Sequence, residues 1–223
     1  GREGGRMTRA HDHGSFNAAF PAGPLVLLGA SYAADWQLLS IAGRPVINVG
    51  VAGEDTAAML ARFSRDVVRV APRAVLLWGF INDIFRAQGD MNTVLANVRT
   101  HYTELIALAR ASGIEPILAT EVTGRPPFRT WSESFANLVG TALGRRAYRD
   151  GVNDHVATMN RWLVDTAARE GLLLLDFQAA LAEPSGRRHK PFSQPDGSHT
   201  TTAGYAALTA YAVPLLDQHF REH

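Results

Sequence analysis

The sequence predicts a three-layer α/β sandwich built around a mostly parallel sheet. Five short apolar runs recur along the chain, continuous rather than alternating, as strands covered on both faces require. Between them lie stretches whose apolar residues repeat at three- and four-residue steps, the spacing of an amphipathic helix. The first run, Leu25–Leu28, stops at Gly29, and the second is Val46–Asn48. A helix follows an acidic first turn at Glu54 and Asp55, with Ala57, Leu60, Phe63, Val67 and Val70 on one face. Ala74–Trp78 is the third strand, and Val94, Val98, Tyr102, Leu105 and Ala109 mark the helix after it, stopped at Gly113. Glu115–Ala119 is the fourth strand. Val152, Val156, Met159, Leu163 and Ala167 form another helical stripe, closed by Gly171, before the fifth strand at Leu172–Leu175. A last helix is expected from Thr201 toward Phe220, kinked or restarted at Pro214. The segment from about 125 to 150 is too long for a simple connection and reads as an excursion, part helix, over a site. Residues 1–22 read as a mobile tail, and 23–223 as one domain.

Composition narrows the functions available. The 223 residues carry a formal net charge of +1, so no surplus of cations exists for nucleic acid or an anionic membrane. All but one of the 22 basic side chains are Arg, Lys190 being the exception, a skew that no function explains. Without Cys, disulfides, thiolate metal sites and a cysteine nucleophile are excluded. The longest stretch free of charged side chains, His13 to Ala34, holds Gly14, Gly23, Gly29, Pro21 and Pro24, so no membrane span is expected. Residues Gly1–Phe20 lack the apolar core of a signal peptide, which leaves a soluble chain of open localisation.

Ligands of open α/β sheets bind beyond the carboxyl ends of the strands, so the residues following each run are the ones that matter. Those are Gly29-Ala30-Ser31-Tyr32, Asn48 to Glu54, and Gly79-Phe80-Ile81-Asn82-Asp83, with Asp196-Gly197-Ser198-His199 just before the last helix. Taken singly, each is an ordinary turn or helix cap. Together they hold every part of an acyl-transfer site. Ser31 offers a hydroxyl at a strand-to-helix junction, where a helix N-terminus favours developing negative charge. Asp196, three residues before His199, can fix the imidazole tautomer and steady the imidazolium. The Ser31 and Gly53 backbone N–H groups with the Asn82 side-chain amide can form an oxyanion hole.

These blocks resemble the SGNH (GDSL-type) hydrolases, whose Ser, Gly, Asn and His occur in that chain order, here Ser31, Gly53, Asn82 and His199. The resemblance runs from about residue 25 to 212. Its most specific parts are Val46 through Gly53, Asn82-Asp83, and Asp196 to His199 followed by Gly204-Tyr205. It implies a flavodoxin-like, five-stranded parallel sheet of order 2-1-3-4-5 and ester hydrolysis through an acyl-serine, with no metal and no cofactor. The sequence differs from the α/β-hydrolases, which carry their serine in a Gly-x-Ser-x-Gly elbow; position 33 here is Ala. Two positions depart from the SGNH pattern. Ala30 replaces the usual Asp, and Gly79 lies three rather than two residues before Asn82. The extra residue places Phe80 or Ile81 in the expected wall of the acyl pocket.

The expected activity is a serine esterase acting on small acyl or acetyl esters, carbohydrate or lipid esters among them. Acyl transfer from the same site and a non-catalytic binding module are the alternatives. Because the base must be a neutral imidazole, activity should fall as the pH drops through about 6.5. Other conspicuous residues have plainer readings. His11-Asp12-His13 is an idle tail motif, Asn153-Asp154-His155 a helix start, and Arg187-Arg188-His189-Lys190 a solvated basic loop. Trp36, Trp78 and Trp162 are expected in the core, while Trp131 is open to either substrate contact or packing. Asp176, after the fifth strand, rivals Asp196 as the acid, and the short reach from Asp196 to His199 favours Asp196.

Overall fold

The computed structural model describes residues 23–125 and 148–223. The N-terminal tail and most of the expected excursion, Trp131 included, lie outside the described residues. Six strands form one sheet: β1 (Leu25–Gly29), β2 (Ser40–Ile41), β3 (Arg44–Asn48), β4 (Ala74–Trp78), β5 (Glu115–Ala119) and β6 (Leu174–Leu175), ordered β2-β3-β1-β4-β5-β6. The five expected strands are all present and pair in parallel. Numbered by themselves, they run 2-1-3-4-5. Every residue of β1, β4 and β5 is buried, which is why these strands read as unbroken apolar runs rather than as alternation.

The sixth strand, β2, has no counterpart among the apolar runs. It joins β3 antiparallel through Ala42 and Gly43, at φ +49° and +69°. Two successive positive φ values are the signature of a tight two-residue hairpin turn.

Among the described residues, seven α-helices complete the layers: α1 (Ser31–Asp35), α2 (Thr56–Asp66), α3 (Ile81–Phe85), α4 (Met91–Ala111), α5 (Tyr148–Glu170), α6 (Phe177–Leu181) and α7 (Thr202–Glu222). The stripe residues Val98, Tyr102, Leu105 and Ala109 of α4, and Val156, Met159 and Leu163 of α5, are buried. Asp55, Asp90, Asp176 and Thr201 cap α2, α4, α6 and α7 by accepting backbone N–H bonds. Each such cap contributes about 1 kcal/mol. The last helix runs through Pro214 as one element rather than restarting there.

Helices α1, α6 and α7 pack together through aromatic side chains. Tyr32 stacks on Trp78, Phe177 meets Trp36 and Trp78 edge-on, and Trp36 Nε1 donates to Thr209 Oγ1 at 3.0 Å. Trp36 and Trp78 are core residues as expected, and Trp162 packs partly buried against the core. At the amino edge of the sheet, Glu115 of β5 lies between Arg73 and His219, tying the end of α7 to the strand. Arg44 and Arg73 lie over the Phe220 ring there, at 4.5 and 5.4 Å from its centroid.

Candidate active site

Ser31 is the first residue of α1, directly beyond β1. That short helix is held from below. Asn48 Nδ2 donates to the carbonyls of Ala33 (2.7 Å) and Trp36 (3.2 Å), satisfying orphan acceptors at the helix end. Asn48 Oδ1 accepts from Gly50 N at 2.9 Å. A Cβ on Gly50 would lie 2.4 Å from Ala34 N, so only glycine lets the second loop come this close to α1. The sequence shows Asn48 only as a strand end; its grip on α1 depends on β3 lying beside β1. Ala30 gives α1 no side-chain cap. The turn is braced instead by the buried Arg62, which reaches Gly29 O at 3.4 Å while bonding Glu54 Oε2 (2.7 Å) and Asp66 Oδ2 (2.9 Å).

The proposed oxyanion donors come from three adjoining loops. Among the described residues, the Ser31 and Gly53 N–H groups donate to no other protein group. Gly53 holds φ +82°, a left-handed conformation that a side chain would strain. Asn82 Nδ2 gives one proton to Glu54 O at 2.8 Å, which leaves the other for a ligand. Next to it, Asp83 accepts from Thr56 Oγ1 (2.7 Å) and Thr56 N (3.0 Å), locking α3 onto the start of α2. Burial raises the Asp83 carboxyl above its ordinary range, and the Thr56 bonds oppose the rise. The loops bearing Gly53 and Asn82 are thus joined by two side chains in sequence.

On the opposite side, Asp196 Oδ2 lies 2.5 Å from His199 Nδ1, and Asp196 Oδ1 accepts the N–H groups of Ser198 (2.8 Å) and His199 (3.0 Å). Burial alone would raise Asp196, but the His199 ring and the two amides outweigh it and bring the carboxyl down to about 2. With Nδ1 taken, His199 Nε2 is the nitrogen left for proton transfer. The two side chains are about half exposed, at 47% and 46%. Tyr32 Oη donates to Ser198 O at 2.7 Å, so the loop carrying Asp196 and His199 sits against the residue following Ser31. No hydrogen bond joins Ser31 Oγ to His199 among the described residues; the two loops are linked through Tyr32 and Ser198. Asp176 is spent elsewhere, accepting from Thr120 Oγ1 and Ala179 N as the cap of α6.

Two expectations are corrected. Phe80 and Ile81 do not wall an open pocket: they are 1% and 4% exposed and belong to the core. Their amide N–H groups are drawn to the buried Glu121 carboxylate, at 2.9 and 3.3 Å, and Phe80 meets Tyr102 edge-on. The second correction is Arg188, which the basic run assigns to a solvated loop. It is fully buried beneath the site, while Arg187, His189 and Lys190 are not.

A cavity of about 740 Å³ lies away from this crevice. It lies beyond β5 and β6 among Thr123, Asn153, Asn160, Asp176 and Gln178. The amides of Asn153, Asn160 and Gln178 are all committed to backbone or Thr123 partners, so these three side chains serve the structure there.

Fold and site together describe an ester-hydrolase architecture, and comparison with known proteins agrees. A family model described as GDSL-like Lipase/Acylhydrolase matches residues 22–207; the chain belongs to this family and is a carboxylic ester hydrolase. No curated protein matches it. Among solved structures, a GDSL-like lipase from Bacteroides thetaiotaomicron VPI-5482 is 18% identical with a TM-score of 0.63, the match covering 90% of this chain and 88% of the other. The lipase/acylhydrolase from Enterococcus faecalis is 20% identical at a TM-score of 0.60, covering 88% and 96%. A mutant of Axe2, an acetyl-xylooligosaccharide esterase from Geobacillus Stearmophilus, is 17% identical at 0.58, covering 87% and 94%. At these identities the likeness is one of fold. No helix among the described residues is long and apolar enough to cross a membrane.

Proposed function

We propose that the chain is a serine esterase working through an acyl-serine intermediate. The observation that carries this is the Asp196–His199 pair, at 2.5 Å, on a loop bonded to the residue beside Ser31. Ser31 Oγ attacks the ester carbonyl carbon as its proton passes to His199 Nε2. The oxyanion is received by the N–H groups of Ser31 and Gly53 and the second amide proton of Asn82. Collapse expels the alcohol, which takes the proton from His199. Water then attacks the acyl-serine with His199 again as base, releasing the acid and restoring Ser31. Asp196 orients the imidazole and stays ionised far below neutral pH.

The substrates proposed are small acyl or acetyl esters, carbohydrate or lipid esters included. The half-exposed Asp196 and His199 favour an accessible reaction centre, and an acetyl-xylooligosaccharide esterase shares the fold. Ser31→Ala should cut turnover of p-nitrophenyl acetate by at least about 1,000-fold with the melting curve unchanged. Parental turnover in that variant would reject the assignment. A p-nitrophenyl ester chain-length series beside acetylated sugars reads out the acyl and alcohol preference.

A further inference from the structure

The structure assigns a role to Arg188 that neither the sequence motif nor the family supplies: we infer that it is a positioning residue, holding the His199 loop in register with the helix that carries Ser31. This rests on the serine-esterase reading above. The Arg188 backbone is itself anchored. Its carbonyl accepts from Arg125 Nη1 at 2.7 Å, it bridges antiparallel to Ala182, and Arg125 N donates to Gly197 O at 2.8 Å, inside the acid–base loop. From this fixed root the side chain runs through the interior, fully buried.

The two Nη groups of the guanidinium donate to the two sides of the site, while the buried Nε has no hydrogen-bond partner among the described residues. Nη1 donates to Ser198 O at 2.8 Å and Thr200 Oγ1 at 3.1 Å, the residues flanking His199. Nη2 donates to Tyr32 Oη at 2.7 Å, beside Ser31, and to Val122 O at 3.4 Å beyond β5. Tyr32 Oη closes the circuit by donating to the same Ser198 carbonyl at 2.7 Å. One planar fork therefore sets the spacing between nucleophile helix and base loop, a geometry that a single ammonium cannot reproduce.

The electrostatics argue against a device for stability alone. No carboxylate among the described residues forms an ion pair with Arg188; all its partners are neutral. The buried Glu121 acts on it only through space; its Oε1 accepts the Phe80 and Ile81 N–H groups, and no hydrogen bond joins it to the guanidinium. A buried guanidinium without a paired carboxylate costs folding free energy, and an apolar side chain of similar volume would avoid that cost. What the cation provides is a rigid set of donors converging where misplacement by about 1 Å lowers a rate on the order of 100-fold.

The test compares Arg188→Met, Arg188→Lys and Tyr32→Phe with the parent. Melting curves, kcat and KM for p-nitrophenyl acetate, and the rate of fluorophosphonate labelling at Ser31 are measured on each folded protein. Arg188→Met should lower kcat and the labelling rate together by about 100-fold, with KM within about twofold. Arg188→Lys should recover part of that loss. Tyr32→Phe keeps the ring on Trp78 and removes only the shared oxygen, so a drop of about tenfold is expected; it decides the matter if Arg188→Met fails to fold. Folded variants that melt lower yet keep parental kcat and labelling would overturn the proposal by itself. Failure of the parent to form an adduct at Ser31 would overturn the serine reading, and this proposal with it.

Discussion

Strand β5 has a buried glutamate near each end, and their surroundings are opposite. Glu115 opens the strand at the amino edge of the sheet, held between Arg73 and His219. Burial pushes its carboxyl up, but the hydrogen bonds and charges of His219 and Arg73 prevail and hold it below the ordinary value. Glu121, two residues beyond the carboxyl end, forms no ion pair among the described residues. Burial drives it up to about 7; backbone N–H groups, chiefly those of Phe80 and Ile81, and the nearby Arg188 charge offset only part of that, and one oxygen lacks a hydrogen-bond partner. The amino edge is charge-balanced and closes the fold. The carboxyl edge carries imbalance, because the Glu121 carboxyl is spent accepting the Phe80 and Ile81 amides while the Arg188 guanidinium donates to neutral groups of Ser198, Thr200 and Tyr32.

Three changes would break or sharpen this contrast. Glu115→Ala strands the buried Arg73 and should cost about 3 to 5 kcal/mol in urea unfolding, with kcat unaltered. It should also remove part of the parent's acid sensitivity. A carboxyl depressed by folding stabilises above its ordinary range, and that contribution is lost as pH falls through the folded value. Asn82→Ala reverses the pattern, lowering kcat about 100- to 1,000-fold while unfolding stays cooperative. A kcat unchanged by Asn82→Ala would remove this amide from the proposed oxyanion hole.

Glu121→Gln probes the imbalance directly. The parent's Glu121 is raised from 4.5 to about 7, so the unfolded chain ionises first and stability is lost as pH rises across that interval. The glutamine keeps an acceptor for the Phe80 and Ile81 amides and cannot ionise. The stability difference should therefore move in favour of the variant by roughly 3 kcal/mol between the two ends of the interval, read from unfolding curves at several pH values. A difference independent of pH would mean that Glu121 is ionised throughout.

Most of the sheet is legible in the sequence because burial on both faces leaves a mark there: Ala74–Trp78 and Glu115–Ala119 coincide with the apolar runs. The hairpin of β2 leaves none, since Ala42 takes a positive φ that alanine seldom signals. In the site, Asp196 and His199 are readable because their contact spans three residues. Arg188 is not, since a charge run reads as surface unless its partners are known, and Tyr32 lies 156 residues away. Phe80 and Ile81 mislead for a related reason. Apolar residues inserted before Asn82 suit a pocket wall or a core equally, and the Glu121 carboxylate that turns their backbone is some 40 residues further on.

The hairpin has a bearing on how this molecule meets others of its kind. An open sheet exposes two rims where a foreign extended peptide can add as another strand and seed aggregation. Here the rims are β2 and β6, each only two residues long, and β2 runs against the direction of its neighbours. Among the described residues each rim is too short to offer an intruding strand a long ladder, and the longer strands β1, β4 and β5 lie between them with every residue buried.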